Sequence, residues 1–229
     1  MIYTSIDIET TGLDLENDQI LSIGLAIEDT NRIAPISEIP TLHIIILRKR
    51  ISGSPFALNL NKNIINAISD YQRSDDINKR AISNALDTVF VEEDKVVEEI
   101  HKFFWKHHIR FDSYETYNGP FHKGPSDEEG TPLLTSSIPK VHFNVAGKNF
   151  ASFDKIFLER LPRWKQVFKI RTRILDPAIL FLEWDTDDQV PGLDLCMLRA
   201  NVEGAVTHNA LQDAIDVIRV LRKTYFRDL

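Results

Sequence analysis

Cysteine is almost missing: Cys196 is the only one in 229 residues. One thiol cannot staple a chain, so nothing argues for an oxidising compartment. Its setting, the apolar run Leu195-Cys196-Met197-Leu198, reads as that of a buried structural thiol rather than a reactive one. Long apolar stretches are missing too. None approaches the roughly 20 residues of a membrane span, and acids at Asp7 and Glu9 interrupt any reading of the N-terminal segment as a signal peptide. The expected location is cytoplasmic. A basic surplus is also lacking, since 27 Lys and Arg face 34 Asp and Glu for a net charge of −7. That balance gives no support to tight, sequence-independent binding of nucleic acid through a broad basic surface. Internal repeats and low-complexity tracts are absent. With 43% hydrophobic and 27% charged residues, the chain can bury a core without disulfides or structural metal.

What is present begins with strands. Residues 2–8 alternate apolar and polar; 20–27 and 42–47 are β-rich and largely apolar, and the three compose a meander. Asp18 and the pair Asn31-Arg32 mark the connections. Residues 52–63, with Gly53, Pro55 and several asparagines, read as a less regular insertion. Helical spacing follows at Ala81, Ile82, Ala85, Leu86 and Val89, then at Val96, Val97, Ile100, Phe103 and Phe104. His101, His107 and His108 fall on or near that charged helix, where a solvated face is expected. Residues 114–140, rich in Gly, Pro, Ser and acids, read as a long surface loop. Residues 141–145 and 170–175 are β candidates separated by a helix over about 152–161. Asp176-Pro177 reads as an N-cap with proline at the first helical position. A last helix over about 209–225 carries the stripe Leu211, Ala214, Ile215, Ile218 and Leu221. The expectation is α/β: one domain over 1–229, a mixed sheet flanked by helices, with insertion loops at about 52–63 and 114–140.

Three segments carry chemistry. On a strand, Asp7 and Glu9 project from one face while Ile6 and Ile8 face the core. Adjacent carboxylates repel unless a cation lies between them, and hard oxygen donors at this spacing suit Mg²⁺ or Mn²⁺; a solvated strand end with incidental acids is the bland alternative. Thr10-Thr11-Gly12 then supplies a tight turn. In the second segment a strand ends at Gly147 and Asp154 falls in the first turns of a helix, where simple capping explains an acid equally well. Phe150 and Phe153 there read as core. In the third, His208 and Asp213 would point about 140° apart on one continuous helix. They converge only if His208 lies on the loop before the helix; otherwise they are a surface histidine and an acidic face shared with Asp216.

Taken together and in this order, D-x-E-T-T-G-L from Asp7, G-K-N-F-x-S-F-D from Gly147 and H-x-x-x-x-D from His208 closely resemble the DEDDh group of DnaQ-like 3′–5′ exonucleases. That family, of the ribonuclease H-like superfamily, includes polymerase proofreading subunits, RNase T and oligoribonuclease. The resemblance runs from Ile2 to about Leu221 but is specific only at the three motifs. It implies a ribonuclease H-like fold, a mixed five-stranded sheet flanked by helices with the acids at one edge. It also implies two Mg²⁺ or Mn²⁺ ions held by Asp7, Glu9 and Asp213, with Asp7 bridging and Asp154 completing the site partly through water. His208 matches the general base, and Thr10 and Leu13 match positions that approach the terminal nucleotide, Leu13 as an apolar wedge against its base. The implied partner is the 3′ end of a single-stranded nucleic acid. DNA or RNA, and monomer or homodimer, stay open. Lys148, where many members have histidine, and Asn149, one residue further from Asp154 than is common, depart from the pattern. A nucleic-acid-binding module of the same fold without catalysis, and an oligoribonuclease-like enzyme restricted to short RNA, are the alternatives.

Overall fold

The computed structural model of the chain describes residues 1–107, 109, 116–118 and 137–226. Strands β1 (Ile2–Thr10), β2 (Ile20–Asp29) and β3 (Thr41–Leu47) form the expected meander, each antiparallel to the next. Helices α1 (Pro55–Leu60), α2 (Lys62–Arg73) and α3 (Asp76–Leu86) follow, then β4 (Val89–Glu92), parallel to β3. Helix α4 (Val96–Lys106) precedes a short antiparallel pair, β5 (Thr116–Asn118) with β6 (Ser137–Pro139). Next come β7 (Val141–Phe143) and β8 (Val145–Ala146), the latter parallel to β1. Helices α5 (Asp154–Leu158) and α6 (Trp164–Val167) lead to β9 (Phe168–Ile170), and α7 (Leu193–Arg199) and α8 (Ala210–Tyr225) close the chain. The main sheet has the order β4-β3-β2-β1-β8, so the chain is α/β with a mixed five-stranded sheet flanked by helices. Among the described residues no helix is long and apolar enough to cross a membrane.

Strand alternation sorts β1 between two cores. Ile6 and Ile8 join Ile23, Leu25, Val97, Ile100, Phe104 and Phe150 on one side. Tyr3 and Ala26 join Val217, Ile218 and Leu221 of α8 on the other. Asp7 and Glu9 share the Tyr3 parity, so they look toward α8. Helix α8 lies along that face. The Tyr3 hydroxyl meets the Tyr225 hydroxyl at 3.0 Å at one end, and Glu9 meets Asp213 at the other. Residues 213 and 225 are separated by ~18 Å of helical rise, and residues 3 and 9 by ~20 Å of strand, so the two elements match in length. Gly24 on β2 makes this approach fit: a Cβ there would stand 2.2 Å from the Ala210 backbone.

Several expectations need correction. Of residues 52–63 only 52–54 are irregular. Ser54 caps α1 by accepting the Ala57 amide, Pro55 occupies the first turn, and Asn61 joins α1 to α2. Val89 begins β4 instead of ending a helix, because Asp87 in the left-handed region (φ 46°) stops α3. The strand expected at 170–175 is broken: β9 pairs with β7, while Leu175 alone bridges to Ala146. The helix expected over 152–161 is the shorter α5. His101 is buried rather than solvated, and His107 packs edge-on to Phe103 at 4.9 Å. His108 lies outside the described residues, as does most of 114–140. Cys196 and Phe150 are buried, as expected.

Candidate metal centre

Each site acid is placed by its own local rule. Asp7 and Glu9 end β1 on the α8 face. Strand β8 pairs with β1 only through Thr4 and Ser5, so the Ile8 amide further along has no strand partner on that side. Asp154 takes it: its Oδ1 accepts from the Ile8 N–H at 3.1 Å. The N-cap of α5 is Phe153, with no side-chain cap bond. Asp154 is therefore not the N-cap: it stands in the first turn of α5, where the helix dipole favours an acid, and its carboxylate turns toward β1.

The third motif adopts the one arrangement that lets its residues converge. His208 sits before the helix with φ +52°, a left-handed conformation uncommon for a residue with a side chain. Asn209 caps α8 by accepting the Gln212 amide at 3.0 Å. Asp213 follows on the first turn, its Oδ1 accepting from the Thr207 amide at 3.2 Å and the Thr207 hydroxyl at 3.4 Å. Asp216 is no part of an exposed acidic face: it is buried and pairs with Arg219 at 2.7 Å and Gln212 at 3.0 Å.

Glu9, His208 and Asp213 offer ligand atoms that all lie within 4.8 Å of one another. Asp7 and Asp154 stand outside that trio but belong to the same electrostatic unit. Asp7, though partly exposed, has its carboxyl held well above the usual range, first by desolvation and then by the charges of Asp154, Glu9 and Asp213. Burial pushes Glu9 up to about 7, with the Asp213 charge adding to it. Asp154 is likewise pushed to about 7, chiefly by burial and partly by Glu9, against its amide hydrogen bonds. Burial also raises Asp213, opposed by the Thr207 bond and by His208. Among the described residues no lysine or arginine forms an ion pair with any of the four.

Four carboxyls that repel one another in a poorly hydrated space, with one imidazole at the rim, form a hard-donor set deficient in positive charge. That is the chemistry a divalent cation satisfies. Asp7, Glu9, Asp154 and Asp213 could hold such ions. His208, the one exposed member, suits proton exchange with solvent and substrate.

The substrate-side residues divide. Leu13 is 82% exposed at the turn beyond Glu9, free to meet a ligand. The Thr10 hydroxyl is buried and donates to the Gly12 carbonyl at 2.7 Å, so it shapes the turn. Two neighbours support the acids: Asn61, which donates to the Thr10 carbonyl at 3.0 Å, and Thr207, which donates to Asp213. Asn61 lies 51 residues from its partner with no motif to flag it; Thr207 adjoins His208 and was visible as a capping-type residue. Against known proteins, the sequence matches no protein-family model and no curated protein significantly.

Proposed function

We propose that this chain is a metal-dependent 3′–5′ exonuclease of DEDDh type on a ribonuclease H-like sheet, acting on the 3′ end of a single-stranded nucleic acid. The observation that carries this reading is the meeting of Asp7, Glu9, Asp154, Asp213 and His208, drawn from three distant segments, around one uncompensated acidic centre. The sheet order, with an antiparallel meander and a parallel strand beside β1, agrees with the fold that the motifs imply.

Asp7, Glu9, Asp154 and Asp213 bind the cations. When bound, Mg²⁺ or Mn²⁺ supplies positive charge against the phosphate and makes water more acidic. The His208 imidazole accepts the proton of the attacking water, the role of general base that histidine most often fills. Exposure at the end of a left-handed turn lets the ring reach a substrate-bound water without breaking a helix. Leu13 meets the terminal base as an apolar surface and orients the strand end.

Digestion of matched 5′-labelled single-stranded DNA and RNA oligomers with Mg²⁺ or Mn²⁺, beside EDTA controls, tests the proposal. The expected result is shortening from the 3′ end one nucleotide at a time, with mononucleotides released and EDTA abolishing the reaction. Intact oligomers of both kinds, or cleavage that persists in EDTA, would overturn it.

A further inference from the structure

Helices α1 and α2 meet at Asn61, and this junction is docked on the turn that follows Glu9. The Asn61 amide nitrogen donates to the Thr10 carbonyl at 3.0 Å, and Asn61 acts to lower the Glu9 carboxyl against the stronger upward push of burial. The Ser54 amide adds a bond to the Thr11 carbonyl at 2.9 Å. Gly53 presses so closely that a Cβ would stand 2.1 Å from that same oxygen. The segment from Gly53 to Asn61 thus grips residues 10 and 11, directly after Glu9.

Asn61 is only 3% exposed, and among the described residues no group hydrogen-bonds its Oδ1. A side chain kept there for packing alone would be apolar, because a buried amide with an unmatched acceptor is costly. Its amide nitrogen is committed to the backbone one residue past Glu9, on the metal centre's first strand.

We propose that Asn61 is the positioning residue of Glu9. Through its grip on the Thr10 carbonyl it fixes the end of β1 so that the Glu9 carboxylate faces Asp213 and His208, and the cation site is formed before a cation arrives. This rests on reading the acid cluster as a cation-dependent hydrolytic centre.

The test uses the full chain with Asn61→Leu, close to asparagine in size but without donors, and Asn61→Ala as a second variant. Mn²⁺ binding is followed by calorimetry, and kcat and KM are measured on a 5′-labelled oligomer. Both variants should bind Mn²⁺ about tenfold more weakly and lose about tenfold in kcat at saturating Mn²⁺. KM for the oligomer should stay within about twofold, and the metal-free thermal midpoint within a few degrees. Parental Mn²⁺ affinity and kcat in both variants would overturn the proposal. So would a collapse of the thermal midpoint that accounts for the losses, since that marks a structural role. If the parent binds Mn²⁺ but cleaves no oligomer, the exonuclease reading fails while the binding comparison still judges Asn61. A parent that binds no Mn²⁺ sinks both.

Discussion

The Ile8 amide donates to Oδ1 of Asp154 across 3.1 Å, joining residues 146 positions apart in the chain. One hydrogen bond thereby fixes the second motif against the first. It uses the stretch of β1 that β8 is too short to cover. The site's assembly depends on such fits between elements as much as on the acids themselves.

Asp7→Ala should abolish hydrolysis, and saturating Mn²⁺ should not restore it. Glu9→Gln should act in the same direction and, without metal at pH 8, should stabilise the fold by on the order of 1–3 kcal/mol. The sign follows from removing a buried carboxylate whose pKa is raised to about 7. Denaturant melts of the EDTA-treated variants measure it; an unchanged or lower midpoint for Glu9→Gln contradicts the repulsion argument.

Stability of the metal-free protein should fall as pH rises from 6.5 to 8.5. Glu9 and Asp154 have folded pKa values raised to about 7. Their stabilising contribution is complete below the ordinary carboxylate range and is lost as pH climbs through 7. His43 slopes the other way. Burial lowers it to about 4, so its contribution is present above 6.5 and lost as pH falls toward 4. The window above 6.5 thus isolates the acids. Thermal midpoints with EDTA and with Mn²⁺ should diverge there, the Mn²⁺ curve being the flatter; parallel curves would count against a cation site.

His208→Ala should cut turnover about 10²–10⁴-fold, the usual worth of a general base. Mn²⁺ binding should persist, because the carboxylates remain. Turnover equal to the parent's across pH 6–9 would remove His208 from the mechanism.

Leu13→Ala should raise KM roughly tenfold through lost apolar contact with the end base. At 82% exposure the residue supports little of the fold, so stability should move by less than about 0.5 kcal/mol. An unchanged KM on both DNA and RNA oligomers would dismiss the wedge.

Gly24→Ala should destabilise by about 1–3 kcal/mol and depress activity further than stability alone explains. The added methyl would stand 2.2 Å from the Ala210 backbone, pushing away the end of α8 that carries Asp213. Loss of Mn²⁺ affinity in the folded variant is the expected signature.

Periodicity made the meander and α8 legible, because one face of each is apolar over many residues. It misled at Val89, which continues the spacing of α3 across Asp87. Only the left-handed turn at Asp87 breaks the phase, and spacing alone cannot show that. Residues 52–63 looked irregular because Gly53, Pro55 and several asparagines are poor helix formers; Pro55 in fact opens α1, and Asn61 is the hinge between α1 and α2. His101 sits in a charged stretch yet points inward, which depends on how α4 is rotated against the sheet. The five site residues could be named from their motifs. Of their supports, Thr207 was flagged by its capping-type neighbourhood, whereas Asn61 and the Ile8 amide could not be named, since backbone donors and isolated side chains leave no pattern in a sequence.

Calorimetric titration of Mn²⁺ into the parent, Asp154→Asn and Asp213→Asn at pH 7.5 addresses the shared centre most directly. The account predicts saturable binding by the parent and at least about tenfold weaker binding by each variant, with all three folded. Parental affinity in either variant, or no binding by the parent, would contradict it.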